Sequence, residues 1–439
     1  MSKLSGFPEF LPAGRNAELI VLDHLRQVFE LHGFASIETR AAEPLDELLR
    51  KGEIDKEVYV LRRLQAESGD SDSGLGLHYD LTVPFARYVL ENAGKLEFPF
   101  RRYQIQKVWR GERPQEGRFR EFTQADIDII AKDELPFHFD VEVARVMAEA
   151  LSGLPVPPLR MQVNNRKLLE GFYLGLGVTD TAAVMRIVDK LDKLPGDKIV
   201  ELLVEAGLSP EQAAKCLALA QISTPDGSFV DQVRVLGVSH ALLDEGLTEL
   251  AEVVDACRAI HGVEIVADLR IARGLDYYTG TVFETQMAGY EHLGSVCSGG
   301  RYDQLASDGK NTYPGVGISL GVSRILVPLI NKGLEADRSV PSAVLVAVID
   351  ESSRAVSDQV AQQLRGRGIP TEVAATSQKF GKQIRYAERR GIPFVWFPPT
   401  DENPHQVKDI RTGDQTDAQP DMWAPPAQDL RPRIKEQHQ

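Results

Sequence analysis

The chain has 439 residues, 43% of them hydrophobic and 26% charged, the balance of a globular protein with room for two or three domains. Its formal net charge of -14 argues against indiscriminate nucleic-acid binding, although a local basic patch can still grip a polyanion. Cys216, Cys257 and Cys297 are too widely spaced for a disulfide framework or a CxxC metal site, which fits a reducing, cytoplasmic setting.

The opening Met-Ser-Lys-Leu-Ser-Gly-Phe-Pro-Glu lacks the apolar core of a signal peptide. No run of about 18 apolar residues occurs, so no membrane span is expected. Residues 15–32 read as an amphipathic helix, with Val21, Leu25, Val28 and Phe29 on one stripe and Gly33 as its stop. A β-prone piece, Phe34 to Thr39, follows. Residues 66–76 are a polar Gly/Ser/Asp loop, and strands are expected at 77–82, 101–110 and 119–130.

Near residue 160 the pattern turns helical and stays so to about 262; Ser209-Pro210 is an N-cap followed by proline at the first helical position. This divides the chain into a first core segment (1–160), a helical insertion (161–262) and a second core segment (263–334), with β-rich stretches at 263–285 and 294–302 and a helix from Gly321. After a linker at 334–342, strand, helix, strand, helix and strand alternate at 344–349, 352–366, 370–375, 381–390 and 393–397. That alternation builds a small α/β domain, 343–419, on a largely parallel sheet. Residues 420–439, rich in Pro, Gln and charge, are expected to fray.

Three stretches carry chemistry. In 119–130, Phe122, Gln124, Asp126 and Asp128 share the face opposite Thr123, Ala125, Ile127 and Ile129. Such a row is either one wet face of an antiparallel sheet or a pocket floor. The loop before it carries Arg110, Arg113 and Arg118, a density suited to a triphosphate or a nucleic-acid end. In 273–283, Arg-Gly-Leu-Asp-Tyr-Tyr-Thr-Gly-Thr-Val-Phe sets a forked cation beside two flat rings, a mixture odd for a core strand and suited to a polar pocket. In 315–324, Gly315, Gly317 and Gly321 stud a strand leading into a helix whose first turn holds Arg324.

Arg110 in its hairpin, the glycine-rich strand ending in Arg324, and the helix-then-strand at 15–40 together resemble the three signature motifs of class II aminoacyl-tRNA synthetases. Arg273-Gly-Leu-Asp-Tyr-Tyr278 and Ser298-Gly-Gly-Arg-Tyr-Asp303 are similar to the two signatures particular to the histidyl-tRNA synthetase family. The resemblance spans essentially the whole chain. It implies an α+β fold, an antiparallel sheet core flanked by helices with a helical insertion and a C-terminal anticodon-binding-like α/β domain, in a homodimer. It implies histidine, ATP (with Mg²⁺) and tRNA(His) as substrates and partners, with histidyl-adenylate formed before transfer to the tRNA 3′ end.

By the same resemblance, Asp80, Thr82 and Gln124 hold the histidine α-amino group, and Asp128 reads the imidazole with the Tyr277–Tyr278 pair. Arg273 binds the carboxylate and α-phosphate, and Arg110 the α-phosphate as well. Glu112 and Phe122 receive adenine, with Arg324 on its other face; Arg118 meets the outer phosphates and Gln115 the tRNA acceptor end. Lys382, Arg385 and Arg389, at helical spacing, form a basic face for tRNA, against the plainer reading of a solvated charged face.

Two positions depart from the family pattern: Ser323 stands where glutamate is usual, and Arg40 where a proline usually ends the first motif. Two rival readings stand beside this one. A non-catalytic regulatory relative is expected to lack the C-terminal domain and catalytic residues, which are present here. A serine hydrolase would use Gly317-Ile-Ser319-Leu-Gly321 as a nucleophile elbow, but the hairpins and helical insertion before it are not βα repeats. No HxxxH or HxxEH pair occurs, so no zinc is expected.

Overall fold

The computed structural model describes residues 4–49, 57–64, 74–272 and 277–435. These form two compact units, one of Met1–Pro8 with His24–Pro328 and one of Glu9–Asp23 with Leu329–Gln439.

The first unit is built on a nine-stranded sheet. Its strands are β1 (Ala35–Ser36), β2 (Phe100–Trp109), β3 (Glu121–Ile130), β4 (Leu159–Asn165), β5 (Ser223–Thr224), β6 (Val263–Asp268), β7 (Tyr278–Met287), β8 (Cys297–Ser307) and β9 (Thr312–Gly321). They lie in the order β1-β2-β3-β9-β8-β7-β4-β6-β5. All neighbours are antiparallel except β1 with β2 and β4 with β6. The alternation along β3 is what positions the site. Ala125, Ile127 and Ile129 are fully buried on one face, while Gln124, Asp126 and Asp128 are almost as deeply buried on the other. The polar face is therefore covered rather than wet, and each of its groups needs a partner.

Register supplies those partners. Arg102 of β2, Asp128 of β3 and Gly317 of β9 lie in one cross-strand row, and Gln104, Asp126 and Ser319 in the next. Glycine at 317 is required by packing, because a Cβ there would lie 2.1 Å from Asp128 Oδ1. At Gly300 a Cβ would come within 2.9 Å of the Tyr278 ring.

Between β4 and β6 the chain is mainly helical, from Arg166–Gly175 to Ala241–Cys257. Ser209 begins one of these helices with a reciprocal capping box, its hydroxyl accepting from Gln212 N and the Gln212 side chain accepting from Ser209 N. Tight helix packing fixes Gly246, where a Cβ would meet the Leu168 backbone at 2.2 Å.

The strand expected at 77–82 is shorter and shifted. Leu75–Leu77 pairs with Ala42–Pro44 and Val60–Leu61, and Thr82 already opens the helix Thr82–Asn92. Asp80 Oδ1 accepts from Val83 N at 3.0 Å, and Pro84 falls in the first turn, where its missing N–H costs nothing. Of the loop expected at 66–76, residues up to 73 lie outside the described residues.

The second unit holds β10 (Val344–Val346), β11 (Thr371–Val373), β12 (Phe394–Phe397), β13 (Gln406–Asp409) and β14 (Gln415–Asp417), in the order β11-β10-β12-β13-β14. The first three are parallel, as the alternation with helices Arg354–Gly366 and Phe380–Arg390 requires. The sequence reading missed the last two, which form an antiparallel hairpin too polar to stand out.

The C-terminal stretch expected to fray is packed as far as it is described. Trp423 meets the Phe394 and Trp396 rings edge-on at 5.3 and 5.5 Å, and Leu430 joins the same core. Arg367 donates to the carbonyls of Pro420, Met422 and Trp423, and Arg411 forks onto the buried Asp429. Composition misled because a few anchors outweigh many polar neighbours.

Candidate active site

The hairpin joining β2 to β3 closes through paired backbone bonds between Gln115 and Arg118, with Glu116-Gly117 at the tip. Gly117 takes φ +74°, the left-handed conformation such a turn requires. The Gly117 carbonyl accepts from Arg324 Nε at 2.8 Å, and the Ser295 carbonyl from Arg324 Nη1 at 2.5 Å. The helix Val322–Asn331 thus fastens the hairpin from its first turn.

Below the hairpin is a cleft of about 550 Å³ including its open mouth, lined by Arg110, Glu112, Arg118, Phe122, Gln124, Ser298, Ser319 and Arg324 among others. The sequence reading chose six of these eight. Arg110 Nε donates to the Tyr79 carbonyl at 3.0 Å while its guanidinium lies 5.1 Å from the Phe122 ring centre. Glu112 is flanked by Arg118 at 3.4 Å and Arg110 at 3.9 Å. Gln115 sits at the hairpin tip, exposed.

Next to the cleft lies a buried polar cluster. Asp128 pairs with Arg102 at 2.5 Å and accepts from the Tyr302 hydroxyl at 2.7 Å. Arg102 stands 4.3 Å over the Phe85 ring. Tyr277 and Tyr278 lie with ring centres 4.1 Å apart. Burial, then the neighbouring Tyr277, its hydrogen bond and Asp128, push the Tyr278 phenol well above its ordinary pKa, so it stays protonated. Gln124 Nε2 donates to Ser319 Oγ, which donates to Asp126 Oδ1, each at 2.5 Å. Burial pushes the Asp126 carboxyl up to about 7, against the lowering influence of Arg102 and the Ser319 hydroxyl. Asp80 is close enough that its charge also opposes Asp126 ionisation, and Thr82 follows at the start of its helix.

Arg273 lies outside the described residues. Lys382, Arg385 and Arg389 are exposed on the helix Phe380–Arg390, whose opposite side buries Gln383 and Ala387. Among the described residues no group of three or more His, Cys, Asp or Glu is arranged to hold a metal.

Four groups escaped the sequence reading. Tyr302 stands inside its motif with no local sign of a role; only three-dimensional register shows it reaching Asp128 across β9. Asp126 and Ser319 were visible as positions but not as partners. Glu57 carried no signal; burial, then the charge of Glu112, raises its pKa, with Arg110 and Arg118 opposing. The two departures find local uses. Ser323 Oγ accepts from Thr123 N at 2.9 Å, and Arg40 pairs with the buried Glu43 at 2.9 Å. The hydrolase rival fails: Ser319 lies within a central antiparallel strand rather than on a strand-to-helix turn, and its hydroxyl meets Asp126 and Gln124 rather than a histidine.

A largely antiparallel sheet, with a hairpin arginine and the arginine after a glycine-studded strand meeting at one cleft, defines a class II aminoacyl-tRNA synthetase core. A family model described as histidyl-tRNA synthetase matches residues 6–325, and one described as an anticodon binding domain matches residues 343–417. A histidine–tRNA ligase of Cutibacterium acnes is 59% identical over 99% of this chain and 98% of its own length. One from Micrococcus luteus is 57% identical, again over 99% and 98%. The crystal structure of histidyl-tRNA synthetase from Nostoc sp. PCC 7120 superposes with a TM-score of 0.83 at 33% identity, covering 94% of this chain and 96% of that one. The chain belongs to the histidyl-tRNA synthetase family.

Proposed function

We propose that this chain carries out the histidine–tRNA ligase reaction by alignment and charge compensation, with no covalent enzyme intermediate. Histidine and ATP give histidyl-adenylate and pyrophosphate, and the histidyl group passes to the 3′ end of tRNA(His). The observation that carries this is the meeting of Arg110, Glu112, Arg118, Phe122 and Arg324 around one cleft, with Gln124 at its floor.

Attack of a carboxylate on the α-phosphorus needs neither a strong base nor a nucleophilic side chain. It needs the two groups held in line, and positive charge where negative charge builds. Arg273 and Arg110 supply that charge at the α-phosphate. Phe122 and Arg324 sandwich the adenine beside Glu112, and Arg118 takes the outer phosphates. Asp80, Thr82 and Gln124 accept from the α-ammonium group. Asp128 accepts from an imidazole N–H and Tyr278 satisfies the other ring nitrogen, with Tyr277 packed alongside. An apolar competitor would strand these groups, so the pocket rejects it.

Mg²⁺ would enter on the ATP phosphates, as such ions usually do with one or two protein carboxylates. Glu57, near enough to Glu112, Arg110 and Arg118 to feel their charges, fits that need, and the ion when bound would add positive charge at the leaving pyrophosphate. Gln115 at the hairpin tip meets the tRNA acceptor end, and Lys382, Arg385 and Arg389 meet the anticodon region. The assembly is a homodimer in the cytoplasm; among the described residues no helix is long and apolar enough to cross a membrane.

ATP–pyrophosphate exchange with each of the twenty amino acids, run with and without tRNA, tests this reading. Exchange is expected with histidine alone among them. Exchange with another amino acid in preference to histidine would overturn it.

A further inference from the structure

We propose that Asp126 is a positioning residue for the substrate's α-ammonium group, acting through the Ser319 hydroxyl to hold the Gln124 amide with its oxygen turned into the cleft. The inference rests on the reading of Gln124 as an ammonium acceptor and deepens it.

Donor and acceptor inventory fixes the orientation of the amide. An ionised carboxylate only accepts, so Ser319 Oγ must spend its single proton on Asp126. That leaves the Ser319 oxygen as an acceptor toward Gln124, so the amide must present its NH₂ to Ser319. The amide oxygen is then committed to the opposite direction. Gln124 Oε1 is buried and has no hydrogen-bond partner among the described residues. An orphaned buried acceptor on a residue that lines the cleft is a ready counterpart for a cation with N–H donors. With Asp126 neutral the order can reverse: the carboxyl donates to Ser319, Ser319 donates to the amide oxygen, and the NH₂ faces the ammonium group. That arrangement sets donor against donor.

The scaffold holds the relay rigidly. Asp126 and Ser319 are direct cross-strand neighbours on β3 and β9, with Gln104 opposite Asp126 on β2. Gln104 is itself fixed by donating to Thr39 Oγ1 at 2.9 Å. Asp126 is 2% exposed, so bulk water does not substitute for the relay. Nothing places Asp126 against substrate directly; its effect passes through two side chains.

The test uses Asp126→Asn, Ser319→Ala and Gln124→Ala in the full-length protein. It compares histidine with 3-(imidazol-4-yl)propionate, which keeps the ring and carboxylate but lacks the ammonium group. Pyrophosphate exchange gives KM for histidine and ATP, and competition gives the inhibition constant of the analogue. Thermal melting confirms each fold. In all three variants the KM for histidine is expected to rise about tenfold, out of proportion to kcat and to the KM for ATP. The inhibition constant of the analogue should move less than about twofold.

Two failures are distinguishable. If Gln124→Ala weakens histidine and the analogue equally, the amide does not read the ammonium group, and both readings fall. If Gln124→Ala separates the two ligands but neither Ser319→Ala nor Asp126→Asn does, the relay is wrong and the Gln124 assignment stands.

Discussion

The Tyr302 hydroxyl reaches from β8 across β9 to donate to Asp128 Oδ1 on β3 at 2.7 Å. The span is open because β9 carries glycine where side chains would intrude: a Cβ at Gly315 would lie 2.5 Å from the Tyr302 ring, and one at Gly317 2.1 Å from Asp128. Arg102 takes the other carboxylate oxygen at 2.5 Å. Asp128 therefore serves the fold, beside the role in specificity proposed for it. Asp128→Ala would remove the salt-bridge partner of the buried Arg102, leaving only the neighbouring Asp126 to offset its charge, and should cost about 3–5 kcal/mol of stability. Asp128→Asn removes the same charge but keeps the side chain's shape, so its kinetics are read well below its own melting temperature. Its KM for histidine should rise at least tenfold while the KM for ATP changes less than threefold, read by pyrophosphate exchange at varied concentrations of each. Equal losses for both substrates would contradict a role in reading the imidazole.

In the proposed reaction Arg273 meets the reacting carboxylate and α-phosphate, the atoms between which charge moves. Loss of a fixed donor at such a point removes on the order of 3–4 kcal/mol of transition-state stabilisation. Arg273→Ala is expected to keep its circular dichroism spectrum and melting temperature and to lose pyrophosphate exchange by a factor of roughly 10²–10³. Near-normal exchange in that variant would discard the assignment.

Periodicity and motif chemistry carried much of this in advance. The alternation along 121–130 separates Ala125, Ile127 and Ile129 from Gln124, Asp126 and Asp128, and both sets are buried on their respective faces. Arg110 and Arg324, distant in the chain, line one cleft as their motifs required. What stayed hidden was cross-strand pairing. Which residue sits opposite Asp126 depends on the register of β9, and nothing local to Ser319 announces that its neighbour is a carboxylate. Local competition was hidden too: Leu81-Thr82-Val83 reads as strand until the Asp80 carboxylate claims the Val83 N–H and a helix starts.

Asp126 carries a stability cost that depends on pH. Burial raises its pKa from 3.8 to about 7, so the folded protein holds a proton there that the unfolded chain releases near 3.8. Through that window folding takes up a proton, the unfavourable contribution grows as pH rises, and it is complete above about 7. Asp126→Asn removes the charge. At pH 8 the variant should be more stable than its parent, by on the order of 4 kcal/mol, and the gain should vanish near pH 4. Melting curves of both proteins across that range provide the check. A variant that melts no higher than its parent at pH 8 would show that Arg102 and Ser319 fully compensate the buried carboxylate. Greater stability with weaker histidine binding would mark a group kept for function against the interest of the fold.

Lys382, Arg385 and Arg389 point outward from a helix whose inner side is fixed by Gln383, which accepts from Val348 N at 3.0 Å and donates to Val348 O at 2.8 Å. That anchoring makes the basic face a rigid platform, so changing its charges should not disturb the core formed by β10 and β12. If the three cations meet tRNA phosphates, each releases part of a counterion on binding, about 0.7 for single-stranded contacts. Replacing all three with alanine should raise the KM for tRNA and flatten the plot of log affinity against log salt by roughly 2. Pyrophosphate exchange without tRNA should be unchanged, because the cleft proposed for histidine activation belongs to the first unit. A parallel fall in exchange would mean that this helix supports the fold or the activation step. An unchanged salt slope would mean that its charges face only solvent.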